Sequence, residues 1–159
     1  MTDATETLTI DAFIEARLRQ DEAIARAATP GPWRYDPTKE HVEINTGLRS
    51  EGVFTGPDGP DAICVATTGD SDDRPSMRDA RFIARHDPER VLREVAWKRH
   101  LLGFALAAFS QESKIGERPG RDPETNAYDK GRADTVRFML RLLAMSWSSH
   151  PDFRAEWSA

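Results

Sequence analysis

Apolar residues recur at helical spacing in three long stretches of the chain, separated by polar or turn-rich segments. The first stretch, 10–28, carries its apolar stripe on one side and charged residues on the others. The second, 76–110, is broken at His86-Asp87-Pro88, because proline disfavours helical angles in the residue before it and suits the first position of a new helix. The pattern predicts a helix over 10–28 and a helix pair over 76–110, the first capped by Ser76.

The third stretch predicts C-terminal helices over 123–157. Asp122-Pro123-Glu124 repeats the order of cap, proline and acid that starts many helices. The last long helix therefore begins either there or after Gly131. The intervening segment, 111–121, is polar and glycine-rich, and we expect an exposed loop.

Between residues 33 and 68 the pattern changes to short β-type pieces bounded by turn residues. The candidate strands are Trp33–Tyr35, His41–Ile44, Gly52–Thr55 and Ala62–Thr67. A small antiparallel meander of three or four strands follows. The predicted class is α+β: an N-terminal helix, the meander, then a helical part with two long antiparallel helices, all in a single domain (1–159) after a flexible tail (1–8).

The end of the second stretch, Leu101–Phe109, has almost no polar face. A membrane span needs about 20 apolar residues, so this run is too short and no membrane is expected. A helix that is apolar on every side must be buried on several sides. We expect either a central helix or a homodimer through helices 87–110 and 123–147.

The charge balance argues against general nucleic-acid binding, since 22 basic residues face 27 acidic ones and the net charge is -5. Cys64 is the only cysteine, which excludes an internal disulfide and a cysteine-rich zinc site. Residues 1–7 are polar and acidic, unlike a signal peptide, so we expect a cytoplasmic location. No sequence feature suggests a cofactor.

Arginines cluster around the first helix of the pair. Arg78, Arg81 and Arg85 share one face at helical spacing, and Arg74 and Arg93 lie close by in the sequence. Three interpretations stay open: a solvated face paired with nearby acids, a surface for an acidic partner, or a DNA-binding helix-turn-helix. The five arginines are the predicted binding residues.

Catalytic and metal-binding patterns are missing from the sequence. The four histidines lack the paired spacing that would place two imidazoles on one metal, and the acidic loop at residues 70–73 lacks the glycine and distant glutamate of a calcium loop. We therefore predict no catalytic residue and no metal ligand. An enzyme with an unrecognised site around His86, Asp87 and the acidic loop is kept as an alternative.

Three stretches in order resemble one group of proteins: Asp21–Trp33, which ends in ATPGPW, Asp79–Val95, which contains FIARHDP, and Leu142–Trp157, which ends in HPDFRAEW. The chain resembles small actinobacterial and actinophage proteins of unknown function and is similar to phage accessory proteins. The positions that mark the family are Trp33, His86, Asp87, Pro88, His150, Pro151 and Trp157.

The resemblance brings no established activity with it. The expected function is a non-enzymatic interaction or accessory protein, encoded by a phage or prophage, that binds a host or phage protein. The alternatives are a DNA-binding regulator that uses the arginine-bearing helix and an enzyme whose site is unrecognised.

Overall fold

A computed structural model describes residues 8–59, 61–71, 73–116 and 122–159. The elements are α1 (Ile10–Ala27), β1 (Arg34–Val42), β2 (Arg49–Thr55), β3 (Ile63–Asp70), α2 (Arg74–Arg85), α3 (Pro88–Gly116) and α4 (Pro123–Ala144), followed by two short 3₁₀ turns, Met145–Trp147 and Ala155–Trp157. The predicted α+β class and the order of its parts are confirmed. All of the predicted tail except Leu8 lies outside the described residues.

The chain divides into two compact units. One comprises residues 1–20 and 95–159, called the helical unit below, and the other comprises residues 21–94, called the sheet unit. The helices α1 and α3 each contribute residues to both. The single domain expected from the sequence stays a prediction.

The sheet unit holds three antiparallel strands in the order β1-β2-β3. Two of the predicted strands, Trp33–Tyr35 and His41–Ile44, correspond to the two ends of β1, so the meander has three strands. The pairing of β1 with β2 is irregular between Tyr35 and Glu40. At this irregularity Asp36 accepts a hydrogen bond from the backbone N–H of Thr38 at 2.9 Å, which makes a local turn inside the strand.

Helix α2 contacts all three strands of this sheet. Its Ser76 and Ala80 are buried, and Val53 of β2 is fully buried. The prediction that Ser76 caps the helix was wrong. Asp73 is the N-cap: its carboxylate accepts from the Ser76 backbone N–H at 3.3 Å and from the Ser76 hydroxyl at 2.9 Å. The helix therefore begins at Arg74.

The helical unit buries apolar side chains from α1, α3 and α4. Its buried residues include Phe13, Ile14 and Leu18 of α1, Leu102 and Ala105 of α3, and Val136, Leu140 and Leu143 of α4. Lys98, in the first half of α3, lies over the ring of Trp147 just beyond α4, at 4.9 Å from the ring centroid. This pairing is expected of helices that run in opposite directions.

The end of α3 and the start of α4 test the predicted loop and the predicted start of the last long helix. Asp122 accepts a hydrogen bond from the Thr125 backbone N–H at 2.9 Å, so α4 begins at Pro123 and not after Gly131. Helix α3 continues to Gly116, so residues 111–116, expected in a loop, are helical. The rest of that predicted loop, 117–121, lies outside the described residues.

Within the described ranges, none of the helices combines the length and the apolar character needed to cross a membrane.

Candidate functional site

The outer face of α2 carries a line of four arginines. Arg74, Arg78, Arg81 and Arg85 are separated by four, three and four residues, and all four are exposed. At 3.6 residues per turn these separations keep the side chains on one side of the helix over about 16 Å. These four residues are called the arginine stripe below.

None of the four members of the arginine stripe forms an ion pair in the part of the chain that the structure describes. The fifth predicted binding residue differs. Arg93 lies on α3 and pairs with Glu89 at 3.7 Å. The structure thus brings four of the five predicted residues together and leaves the fifth on another helix with an acidic neighbour.

A shallow cleft of about 190 Å³ opens along this stripe. It is lined by Arg74, Met77, Arg78 and Arg81. Guanidinium groups present planar pairs of N–H donors that match the two oxygens of a carboxylate, and methionine adds an adaptable apolar contact. The cleft can therefore accept a carboxylate beside a small apolar group.

Beneath one arginine of the stripe lies a pair of residues that the sequence analysis missed. Arg81 sits over the ring of Tyr35, with its guanidinium carbon 6.0 Å from the ring centroid. Glu51 of β2 is buried. Burial, together with the neighbouring Glu51 carboxylate, raises the pKa of Tyr35 to about 12. The signal for Glu51 was its alternation with Val53 and Thr55, which places all three on one face of β2.

Two of the stretches that carry the resemblance meet at one buried carboxylate of the sheet unit. Asp87 caps α3 by accepting from the Arg90 backbone N–H at 2.8 Å, and its other oxygen accepts from the Trp33 N–H at 3.4 Å. A Cβ on Gly31 would lie 2.9 Å from that same oxygen, so the ATPGPW turn needs glycine there. Pro88 is buried next to the cap. These residues join the turn to the start of α3.

His86, the remaining predicted marker position in this unit, lies at a helix end. Its Nδ1 lies 2.8 Å from the Phe82 carbonyl oxygen, in the last turn of α2. The enzyme hypothesis rested on His86 and Asp87, and both side chains make contacts that end one helix or begin the next. In the acidic loop, Asp73 caps α2, while Asp72 lies outside the described residues.

The HPDFRAEW stretch packs on α1 in the helical unit. The His150 side chain contacts Arg17, and its ring centroid lies 5.9 Å from that of Phe13. Trp157 is buried, with its ring 4.9 Å from the same phenylalanine. Pro151 is exposed between them. This stretch therefore covers the apolar side of α1.

Other reactive groups give no constellation. Cys64 is half-buried on β3, and burial raises the pKa of its thiol, which lowers the thiolate fraction at neutral pH. Across the residues that the structure describes, no group of three His, Cys, Asp or Glu side chains is arranged to hold a metal ion. The arginine stripe is thus the most distinct polar feature of the sheet unit.

Comparison with known proteins gives a family but no activity. A search of curated proteins found no match, and a search of solved structures found none either. Residues 7–159 match the Family of unknown function (DUF6221), which leaves only the first six residues outside the match. Because the match spans nearly the whole chain, this protein belongs to that family of unknown function.

Proposed function

We propose that this chain is a non-enzymatic interaction or accessory protein that binds an acidic surface of another protein through the arginine stripe. The proposal places it in the cytoplasm, encoded by a phage or prophage, with a host or phage protein as its partner. The observation that carries it is the line of four exposed arginines without an ion pair among the described residues.

The local positive charge of the arginine stripe favours an acidic partner. Exposed arginines repel one another, and acidic neighbours within the chain normally compensate for that repulsion, as Glu89 does for Arg93. Along the arginine stripe, carboxylates of a partner would supply the compensation and accept paired hydrogen bonds from the guanidinium groups. A basic line on a chain of net charge -5 also orients an acidic partner towards this one face.

DNA is the second candidate, supported by the basic helix followed after a tight break by another helix. Two observations favour a protein partner over DNA. In a helix-turn-helix the start of the second helix reads the bases. Here Asp87 caps α3 and Glu89 lies in its first turn, so the start of this helix is acidic and would repel DNA. The basic residues of that first part of α3, Arg90 and Arg93, pair with Glu94 and Glu89 at 2.9 and 3.7 Å.

Binding of a labelled peptide rich in glutamate and aspartate tests the proposal. Fluorescence anisotropy at about 50 mM salt, where charge screening is weak, would compare the wild type with the double variant Arg78→Gln/Arg85→Gln. Losing two charge-assisted contacts is expected to weaken binding about tenfold or more. Arg81 is left unchanged because it packs on Tyr35.

A matched control is Lys130→Gln/Arg141→Gln, which removes two positive charges from exposed positions of α4. It is expected to change the affinity by less than about twofold, because it changes the net charge equally but removes no proposed contact with the peptide. Equal weakening by both variants would refute a specific site on α2. If duplex DNA binds more tightly than the acidic peptide, with a steep salt dependence, and the Arg78→Gln/Arg85→Gln variant weakens that binding, the partner is DNA and not an acidic protein.

A further inference from the structure

The two long helices of the helical unit expose large apolar side chains at a regular spacing. On each helix three of them are separated by four and three residues, so they form one stripe. Their exposed fractions range from 37% to 58%. The six side chains, called the apolar face below, are Trp97, Leu101 and Phe104 of α3, Phe138 and Leu142 of α4, and Met145 directly after the end of α4.

A groove of about 520 Å³ lies beside the stripe of α3 and reaches across to α4. It is lined by Phe104 of α3 and by residues of α4 that include Tyr128, Gly131, Thr135 and Met139. Phe104 thus belongs both to the groove and to the stripe of α3. On α4, Phe138 lies three residues from Thr135, and Leu142 lies three residues from Met139, so these pairs are neighbours on the helix surface.

The apolar face is comparable in size with the exposed apolar patches that often have a function. An aromatic side chain offers about 150–250 Å² of surface, and about half of it is exposed at each of three rings in this face. With three aliphatic side chains and the groove, the exposed apolar surface amounts to several hundred Å². Contiguous patches of roughly that size mark interaction sites, and a stable interface needs about 800 Å² from each partner.

We infer that a second copy of this chain covers the apolar face. A two-fold dimer brings the same patch of both chains together, so that patch must contain both a protrusion and a hollow. The apolar face meets this condition, since its exposed rings stand beside the groove. All six side chains lie within the segments 87–110 and 123–147 of the homodimer predicted from the sequence, and the inference is independent of the arginine stripe.

Gly131 supports close contact between two chains at the groove. Glycine is the poorest helix former after proline, yet this one lies inside α4. A Cβ added to it would meet no atom within 4 Å, so no packing in the described part of the chain requires glycine. The absent side chain leaves the groove open for an exposed ring of the other copy.

Sedimentation equilibrium of the full chain tests the dimer. The wild type is expected to be dimeric at about 10 µM, and Leu142→Glu is expected to raise the dissociation constant at least tenfold, because it buries a charge in the apolar face. Ile44→Glu is the matched control: Ile44 is 97% exposed in the sheet unit, so this change should leave the dimer intact. Circular dichroism of both variants verifies that they are folded.

A substitution at Gly131 separates a dimer contact from a folding defect. Gly131→Ala is expected to weaken the dimer about tenfold, because the methyl group narrows the groove. In the monomeric Leu142→Glu background the same change should raise Tm by a few degrees, about 2–4 °C, because alanine favours the helix. If Gly131 were needed only for folding, Gly131→Ala would lower Tm in this background instead.

Three results would overturn the inference. The first is a wild-type chain that stays monomeric up to about 100 µM, far above the dissociation constants of specific dimers. The second is dissociation by Ile44→Glu to the same extent as by Leu142→Glu. The third is a Gly131→Ala chain whose dimer is as tight as the wild type, since the groove would then lie outside the interface.

Discussion

The helices α2 and α4 each bury one face in their own unit, but their solvent-exposed faces differ in character. The exposed face of α2 is charged, and that of α4 is partly apolar. Helix α2 buries the small residues Ser76 and Ala80 and exposes arginines. Helix α4 buries Leu140 and Leu143, yet it also exposes Leu142. A helix with one apolar face needs one partner, whereas a helix with two apolar faces needs a second partner. The contrast shows that the arginine stripe of α2 offers charge to a partner, whereas the exposed stripe of α4 offers apolar area.

The two Asp-Pro-Glu helix starts also differ, in the contacts that their aspartates make. Asp87 is buried and bonds both the first turn of α3 and the Trp33 backbone N–H. Asp122 is exposed and, among the residues that the structure describes, it accepts hydrogen bonds within its own turn, from the backbone N–H and the hydroxyl of Thr125. One sequence pattern therefore serves a tertiary joint in one place and a local cap in the other.

The largest expected effect separates the two apolar faces of α4. Leu140→Ala removes a side chain that is 4% exposed and should lower the free energy of unfolding by about 2–5 kcal/mol. Leu142→Ala removes one that is 49% exposed and should change it by no more than about 0.5 kcal/mol in a monomeric background. Urea denaturation measures both. Similar losses at the two positions would show that Leu142 packs within its own chain.

The next effect compares the two caps. Asp87→Ala should cost about 1–3 kcal/mol, because it removes a cap and leaves a buried N–H without its acceptor. Asp122→Ala should cost less, since water can replace the carboxylate at an exposed helix start. Thermal and urea unfolding of the two variants provide the comparison. An equal loss would mean that the contact with the Trp33 backbone contributes nothing measurable.

The smallest effect concerns Tyr35 and is confined to alkaline pH. Its folded pKa of about 12 lies above the ordinary value of 10, so folding favours the neutral phenol. This contribution is complete below pH 10 and is lost as the pH rises towards and through 12. Tyr35→Phe should therefore unfold with a weaker pH dependence between pH 10 and 12 than the wild type. Phenolate absorbance should also show one fewer late-titrating tyrosine, and an unchanged titration curve would contradict the assignment.

The α+β class and most helix starts could be predicted from local chemistry. A cap, a proline and an acid act within one turn, so Asp87 and Asp122 were recognisable without tertiary information. Ser76 was mistaken for a cap because Asp73, three residues earlier, is a competing acceptor, and only the geometry of the acidic loop decides between them. The continuity of β1 through Asp36 depends on pairing with β2, which the local turn signal conceals.

For the candidate site, the spacing of Arg78, Arg81 and Arg85 on one face could be predicted, but their charge balance could not. Pairing with acids depends on which side chains the sheet places near α2, and the pair of Tyr35 and Glu51 follows from strand register. Exposure on α3 was equally hidden, since Leu102 is buried and Leu106 is 42% exposed although both lie in the same apolar run. Such differences come from tertiary packing and leave no local signal.

The proposed contact of the arginine stripe with an acidic partner and the proposed contact between two apolar faces should respond differently to salt. Sedimentation velocity of the full chain with a labelled acidic peptide, at about 50 mM and about 500 mM salt, follows both at once, since screening lengths fall several-fold in that range. High salt is expected to release the peptide from the arginine stripe while the chain stays dimeric through its apolar face. A peptide that stays bound while the dimer dissociates would contradict this expectation.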